Sequence, residues 1–429
     1  MWIPRKQTVV AFTLLLTSCG AAAASRSDVS APSEAVVTKP TYNDFGITVP
    51  AVGFPVTTPE SAFPARLSLT TTDGKVLTFS PDDDPIVTQG VMAPTGKVVV
   101  STSFTNGRTM IEWHDIRTDI ITGELQIDGE FRAAAVAQDG KLVALIGTPT
   151  KSTSVVLVTP SGGEMRRWVF DGVVVPEAFS NAYAPNGDGL PIGVFVIEYL
   201  DTSTYRVRVI DTATGALGLP LNLRDKSQTV DEIMTAVSRT AVFEPANQLL
   251  FTLYQDATEG GEEIGSFIHT LGLVNGVWCL DVPQELGLAD HPGALAVSPD
   301  GSRLFAASST GGVAGYMVSD VINLGPEIPE ASTAVALDAT AQRVAMGASR
   351  DEVVVALGGS LFRMDPATLA VRDSFGWEMD VEALTVLDDG SIVIVGTGRM
   401  TLVSPQNEIM AERILPPEAA EIAQVAVVA

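Results

Sequence analysis

The chain has 429 residues, 46% of them apolar and 18% charged, with Ala, Val and Gly abundant and aromatics at 6%. This is the make-up of a folded protein with close-packed sheets, and it excludes a disordered or collagen-like chain. A formal net charge of −25 repels phosphate backbones, so nucleic acid is not expected as a partner.

Residues 1–19 read "MWIPRKQTVVAFTLLLTSC". Arg5 and Lys6 form a positive start, and Thr8 to Leu16 form an apolar core about half as long as a bilayer span requires. That is a signal peptide, and its removal would take the net charge to −27. The cut site, Leu16-Thr17-Ser18-Cys19, resembles the bacterial lipoprotein lipobox: Leu, two small residues, then Cys. The resemblance implies that Cys19 is acylated, becomes the mature N-terminus and ties the protein to the membrane through buried acyl chains. The alternative is an ordinary secretory signal. Residues 20–62 are dominated by Ala, Ser, Thr and Pro without a sustained period. They read as a flexible tether spanning roughly 35 Å.

From residue 63 to the C-terminus, 429, the chain repeats one phrase: a small apolar strand, a polar turn, a second apolar strand. It begins as "GVMAPTGKVVVS" at Gly90, "AAVAQDGKLVAL" at Ala134 and "AYAPNGDGLPIGVFVI" at Ala182. It continues as "AVFEPANQLLFTL" at Ala241, "LAVSPDGSRLFAAS" at Leu295, "AVALDATAQRVAMG" at Ala334 and "ALTVLDDGSIVIVG" at Ala383. The turns fall near residues 96, 140, 187, 247, 301, 341 and 390, about 49 residues apart on average, a propeller-blade period. Asp139-Gly140, Asn186-Gly187, Asp300-Gly301 and Asp389-Gly390 supply the positive φ of a tight hairpin. Ala246-Asn247 and Thr340-Ala341 do not, and rest on the strand pattern.

The flanking runs, "VVVS" and "IVIVG" among them, are nearly continuous apolar residues. A sheet with one wet face would alternate, so these strands are expected to be covered on both faces. A second hairpin follows most of these phrases, clearest in "YRVRVIDTATGALGLPL" from Tyr205 and "LFRMDPATLAVRDSF" from Leu361. Four strands per unit predict an all-β, seven-bladed β-propeller. Two pieces remain: an outer hairpin, "ARLSLTTTDGKVLTF" from Ala65, and a last inner strand, "EIAQVAVVA". These termini are expected to close the ring, by reinforcing one of seven blades or by completing an eighth.

The Ala296-Val297-Ser298-Pro299-Asp300-Gly301 hairpin and the Val209-Ile210-Asp211 to Thr214-Gly215 hairpin resemble the WD40-like and YVTN-type repeats of bacterial extracytoplasmic propellers. The resemblance covers about residues 65–429 and implies a fold rather than an activity. No Trp-Asp dipeptide closes a repeat, and Trp113, Trp168, Trp278 and Trp377 hold no common register.

Candidate chemistry is sparse. His114, His269 and His291 fall in different units and show no metal-ligand spacing. Cys279 lies in an apolar strand, "GVWCLDV", and reads as a buried thiol. Asp82-Asp83-Asp84, "NGDG" at Asn186–Gly189 and "EGGEE" at Glu259–Glu263 could offer oxygen ligands, but read as solvated turns. No catalytic residue, metal ligand or cofactor is assigned, and no phosphate-binding or nucleophile motif is present. The expected protein is a monomeric, membrane-anchored binding or scaffold lipoprotein for protein or envelope partners. Two alternatives stand beside it: an extracytoplasmic enzyme, lactonase-like or quinone- or metal-dependent dehydrogenase-like, and an envelope-assembly lipoprotein. Arg outnumbers Lys, 19 to 7, which suits a GC-rich bacterial genome and leaves the envelope type, and hence an outer-membrane address, open.

Overall fold

The computed structural model describes residues 47–48, 67–71, 75–79 and 86–427, apart from 119, 150, 183–188, 202–203, 224, 226, 236–237, 256–265, 275, 284–285, 287–292, 324–329, 418 and 420–421. The signal peptide, Cys19, most of residues 20–62 and Asp82–Asp84 lie outside the described residues.

The strands form because their apolar residues are needed on both sides. In Ile392–Gly396, "IVIVG", Ile392 and Ile394 pack into one apolar cluster, while Val393 and Val395 pack into another on the opposite face. Val353–Leu357 divides in the same way: Val353, Val355 and Leu357 face one neighbour, Val354 and Ala356 the other. Successive strand residues point to opposite faces, so a continuous apolar run is the pattern of a sheet sandwiched between two others.

The seven repeat units form the seven blades of the all-β propeller expected from the sequence. From inner to outer strand, blade 1 is the end of Ile86–Met92, then Val98–Thr105, Arg108–Asp115 and Ile120–Asp128. Blade 2 is Phe131–Val136, Val143–Gly147, Ser152–Thr159 and Gly163–Asp171. Blade 3 is Val173–Phe179, Gly193–Tyr199, Thr204–Asp211 and Leu217–Gly218. Blade 4 is Ser238–Glu244, Leu249–Gln255, Phe267–Gly272 and Gly276–Asp281. Blade 5 is Gly293–Val297, Arg303–Ser308, Gly312–Met317 and Thr333–Ala336, with the helix Val318–Asn323 before its last strand. Blade 6 is Val344–Ala348, Val353–Leu357, Ser360–Met364 and Val371–Gly376. Blade 7 is Val381–Val386, Ile392–Gly396, Arg399–Val403 and Ile409–Ile414.

The termini close the ring. The C-terminal Ile422–Val427 pairs with Leu67–Thr71, which pairs with Lys75–Phe79, which pairs with the start of Ile86–Met92. This closing unit adds a four-stranded sheet to the seven repeat units. Ile86–Met92 carries the chain from this unit into blade 1: residues 86–89 are outermost in the closing unit, and residues 90–92 are innermost in blade 1. Gly90 stands at the changeover, where an added Cβ would lie 2.3 Å from the Val100 carbonyl oxygen.

Apolar clusters fill seven interfaces: blades 1 and 2, 2 and 3, 3 and 4, 4 and 5, 5 and 6, 6 and 7, and blade 7 with the closing unit. The face of blade 1 turned to the closing unit differs. Its described apolar cluster is Val99 and Ile116 with Met92, and beside it lie Ser101, Glu112 and His114. The blade 1 face of this last joint is therefore polar.

Polar contacts lock neighbouring blades. The Arg363 guanidinium on blade 6 pairs with Glu352 and donates to Asn407 Oδ1 at 2.8 Å, Ser404 O at 2.9 Å and Gly390 O at 3.0 Å, all three on blade 7. Trp113 Nε1 on blade 1 donates to Lys141 O on blade 2 at 3.1 Å. The turn at Ala246-Asn247, poor in turn residues, is made by Glu244, whose carboxylate accepts both backbone N–H groups at 2.6 and 2.7 Å. Gly301 of blade 5 leaves room for it: a Cβ there would lie 2.1 Å from Glu244 Oε1, and its φ is +68°. The expected inner turn at Thr340-Ala341 is corrected. Those residues lie on the link between blades 5 and 6, and the inner turn of blade 6 is at 349–352, closed by Ser349 N donating to Glu352 O.

Because Ile394 fills one of these interfaces with no exposed area, Ile394→Ala is expected to cost about 2–5 kcal/mol in denaturant unfolding. Ile414→Ala, at an 82% exposed outer-strand site, is expected to change stability by no more than about 0.5 kcal/mol.

Candidate functional site

Three places bring polar groups together at an opening: the central channel, a cleft at one mouth of the ring, and the polar joint. All inner strands begin at the mouth carrying the inter-blade links and run to the mouth carrying the inner hairpin turns, because each blade's four strands alternate in direction. These are the link mouth and the turn mouth.

The channel wall between blades 1 and 4 encloses a cavity of about 20 Å³ beside Gln138, Glu177 and Asn181. That is room for about one water molecule, not for a substrate. Gln248 Nε2 on blade 4 donates to Gln138 Oε1 on blade 2 at 3.4 Å.

The cleft at the link mouth, about 300 Å³, lies between blades 6 and 7. The turn Gly358-Gly359, with φ of +59° and +75°, forms one wall, and the Trp377 N–H donates to Gly359 O at 2.8 Å. Arg343 and Asp380 stand exposed at its rim. This size suits a small ligand, yet Arg343 and Asp380 place opposite charges at one opening, and no nucleophile is paired with a base there.

In the polar joint, Ser101 Oγ lies 3.1 Å from His114 Nε2, and Glu112 Oε2 lies 3.4 Å from the same nitrogen. Ser101 also donates to Glu112 Oε2 at 3.4 Å. Three residue types of a hydrolytic triad meet here, but the geometry is wrong for one. In a triad the acid holds one imidazole nitrogen and the hydroxyl the other; here both converge on Nε2. Sequence reasoning placed His114 on a strand beside Trp113 and missed this cluster. Glu112 and His114 share a face by alternation, but Ser101 joins them only through the hairpin register Ser101↔Glu112.

His269 and Cys279 face one another across adjacent strands of blade 4. His269 is 4% exposed, and burial alone pushes its imidazole down to about 4. The Cys279 thiol, buried as expected, donates to Glu232 Oε2 at 3.3 Å, and burial raises the Glu232 carboxyl. His114 and His269 are far apart on the ring, on blades 1 and 4. His291, residues 183–188 and Glu259–Glu263 lie outside the described residues. Among the described residues no group of three or more His, Cys, Asp or Glu side chains could hold a metal ion, and no helix is long and apolar enough to cross a membrane.

No family model and no curated protein matches the chain in sequence. Among solved structures it is similar to dihydro-heme d1 dehydrogenase NirN in complex with DHE, at 13% identity over 92% of this chain and 83% of that one, TM-score 0.47. BamB from Moraxella catarrhalis is 14% identical over 76% and 87%, TM-score 0.44. Sqt1 of Saccharomyces cerevisiae is 13% identical over 74% and 83%, TM-score 0.42. With every one of these TM-scores below 0.5, the architecture stands on the strand pairing above.

A histidine held neutral to about pH 4 when folded, but protonated near 6.5 when unfolded, ties stability to pH. The unfolded chain binds the extra proton between those values. The stability His269 allows is complete above about pH 6.5 and falls as pH drops toward 4, by about 3 kcal/mol in all. Glu232 works in the opposite sense: its raised carboxyl gives stability that is complete below its unfolded value and is lost as pH rises through its higher folded value. Denaturant midpoints at pH 7.5 and 4.5 are expected to converge markedly in His269→Gln relative to the unsubstituted protein; an unchanged gap contradicts the burial account.

Proposed function

We propose that this chain is a lipid-anchored, extracytoplasmic propeller that serves as a non-enzymatic binding or scaffold module for a protein or envelope partner. The observation that carries the address is Leu16-Thr17-Ser18-Cys19 directly after a basic start and an apolar core; acyl chains on Cys19 would hold the protein at the membrane. In this reading residues 20–62 lift the ring off the lipid surface, and it works as a monomer.

Support for a protein partner comes from the rim. The outermost strand of blade 7 is a sheet edge, and it exposes Ile409, Met410 and Ile414. Ile120 and Ile121 on blade 1 and Val371 on blade 6 are exposed on edges of the same kind. An edge strand offers unpaired backbone groups, and apolar side chains beside it add contact area for an incoming chain.

A palmitate analogue fed to producing cells is expected to label the protein and move with it into the membrane fraction. Cys19→Ser is expected to abolish the label and release the protein. An unlabelled, soluble unsubstituted protein contradicts the anchor. A photo-cross-linking residue at Met410 is expected to give a discrete protein adduct in cells; no adduct from any exposed outer-strand position contradicts the scaffold role.

A further inference from the structure

The strand Ile47–Thr48 belongs to no blade. It pairs in parallel with the channel-side edge of the inner strand of blade 4, Ile47 opposite Ala241 and Thr48 opposite Val242. It also lies against Ile422–Val427, the inner strand of the closing unit. These two inner strands stand on opposite sides of the ring. From blade 4 the closing unit is reached in four steps through blades 5, 6 and 7, and in four steps through blades 3, 2 and 1. A strand that touches both lies inside the bore.

The direction of pairing adds a polarity. Inner strands run from the link mouth to the turn mouth, and Ile47–Thr48 runs parallel to one of them. Ile47–Thr48 therefore points from the link mouth toward the turn mouth. The closing unit agrees independently. Its first residue, Leu67, pairs with Val427 at the end of the last inner strand, which is at the turn mouth. Leu67, which opens the next described strand, therefore lies at the mouth toward which Ile47–Thr48 points.

From this threading, and resting on the lipid-anchor reading above, we infer that the N-terminal leash runs through the propeller's own channel, so that the link mouth faces the membrane and the turn mouth faces away. Channel-side edges of inner strands carry unpaired backbone groups. A short strand laid along one of them satisfies some of these groups from inside the bore. Two consequences follow. The channel is not a passage for a ligand while the leash occupies it. The free leash also shortens: residues 20–46, not 20–62, separate Cys19 from the ring, a coil of about 30 Å. The cleft beside Arg343, Trp377 and Asp380 then opens toward the lipid surface, and the inner hairpin turns are presented outward.

The test has two arms that fail separately. The first uses the secreted, unlipidated Cys19→Ser, Cys279→Ser form, in which no anchor takes part. Ile47→Cys with Ala241→Cys is expected to form a disulfide on mild oxidation, while Ile47→Cys with Val169→Cys, on the outer strand of blade 2, stays reduced. Ile47→Cys alone is expected to react with a bulky maleimide at least ~10-fold more slowly than Ile414→Cys, the factor about 1.4 kcal/mol of local protection gives. No 47–241 disulfide, with labelling as fast as at Ile414→Cys, overturns the threading. The second arm uses the lipidated Cys279→Ser protein on vesicles with a quencher in the lipid. A dye on Gln342→Cys, at the link mouth, is expected to be quenched more than one on Gln406→Cys, at the turn mouth. Equal or reversed quenching overturns the orientation. Failure to bind vesicles with the disulfide formed overturns the anchor reading and leaves the threading intact.

Discussion

The structure depends on a single demand: its middle strands must be dry on both faces at once. A lone sheet with runs such as "IVIVG" or "VVVAL" would expose half of its Val, Ile and Leu side chains to water, at about 25 cal/mol for each Å² left wet. Stacking sheets face to face covers both sides of every interior sheet but leaves two outer faces. Bending the stack into a ring covers those as well. The small residues of the inner strands, such as Ala294 and Ala296 in blade 5, let the sheets converge on the axis.

A ring made from a linear chain has to join its ends, and this one spends both termini on the join. The C-terminal strand becomes the inner strand of a unit whose other three strands come from the N-terminal side. On one face that unit packs Leu67, Leu69 and Leu77 against blade 7. On the other it faces the side of blade 1 bearing Ser101, Glu112 and His114, and the chain crosses from one unit to the next at Gly90. Closure is therefore apolar on one side, while the blade 1 face on the other side is polar. The same geometry gives the bore two unlike mouths and, with the strand at Ile47–Thr48, a direction.

Much of this was legible beforehand. Apolar runs without alternation announced two-faced burial, Asp-Gly pairs marked the inner hairpins, and the leftover terminal segments implied closure by pairing. The reading failed at Thr340-Ala341 for a physical reason. The helix Val318–Asn323 and the segment after it lengthen the outer hairpin of blade 5. Its last strand, Thr333–Ala336, thus falls where a regular period puts the next inner strand. The Ser101–Glu112–His114 cluster depends on cross-strand register, which composition does not encode. The Glu244 turn was obscure because a buried carboxylate does the work usually done by Asp and Gly. Ile47–Thr48 carries no pattern of its own, since a two-residue strand is defined by its partner. The lipobox is the reverse case, wholly a sequence feature.

If closure by the termini is what holds the ring, then removing the last strand must be felt far from it. The direct measurement is hydrogen exchange on the chain truncated after residue 420, read at Ile392–Gly396 of blade 7 and at Val143–Gly147 of blade 2. The account predicts that protection falls at both sites together, blade 2 included, as a ring opened at one joint loses its cooperativity. Full-length protection retained in blade 2, with loss confined to blade 7 and the closing unit, would show that the blades stand without a closed ring.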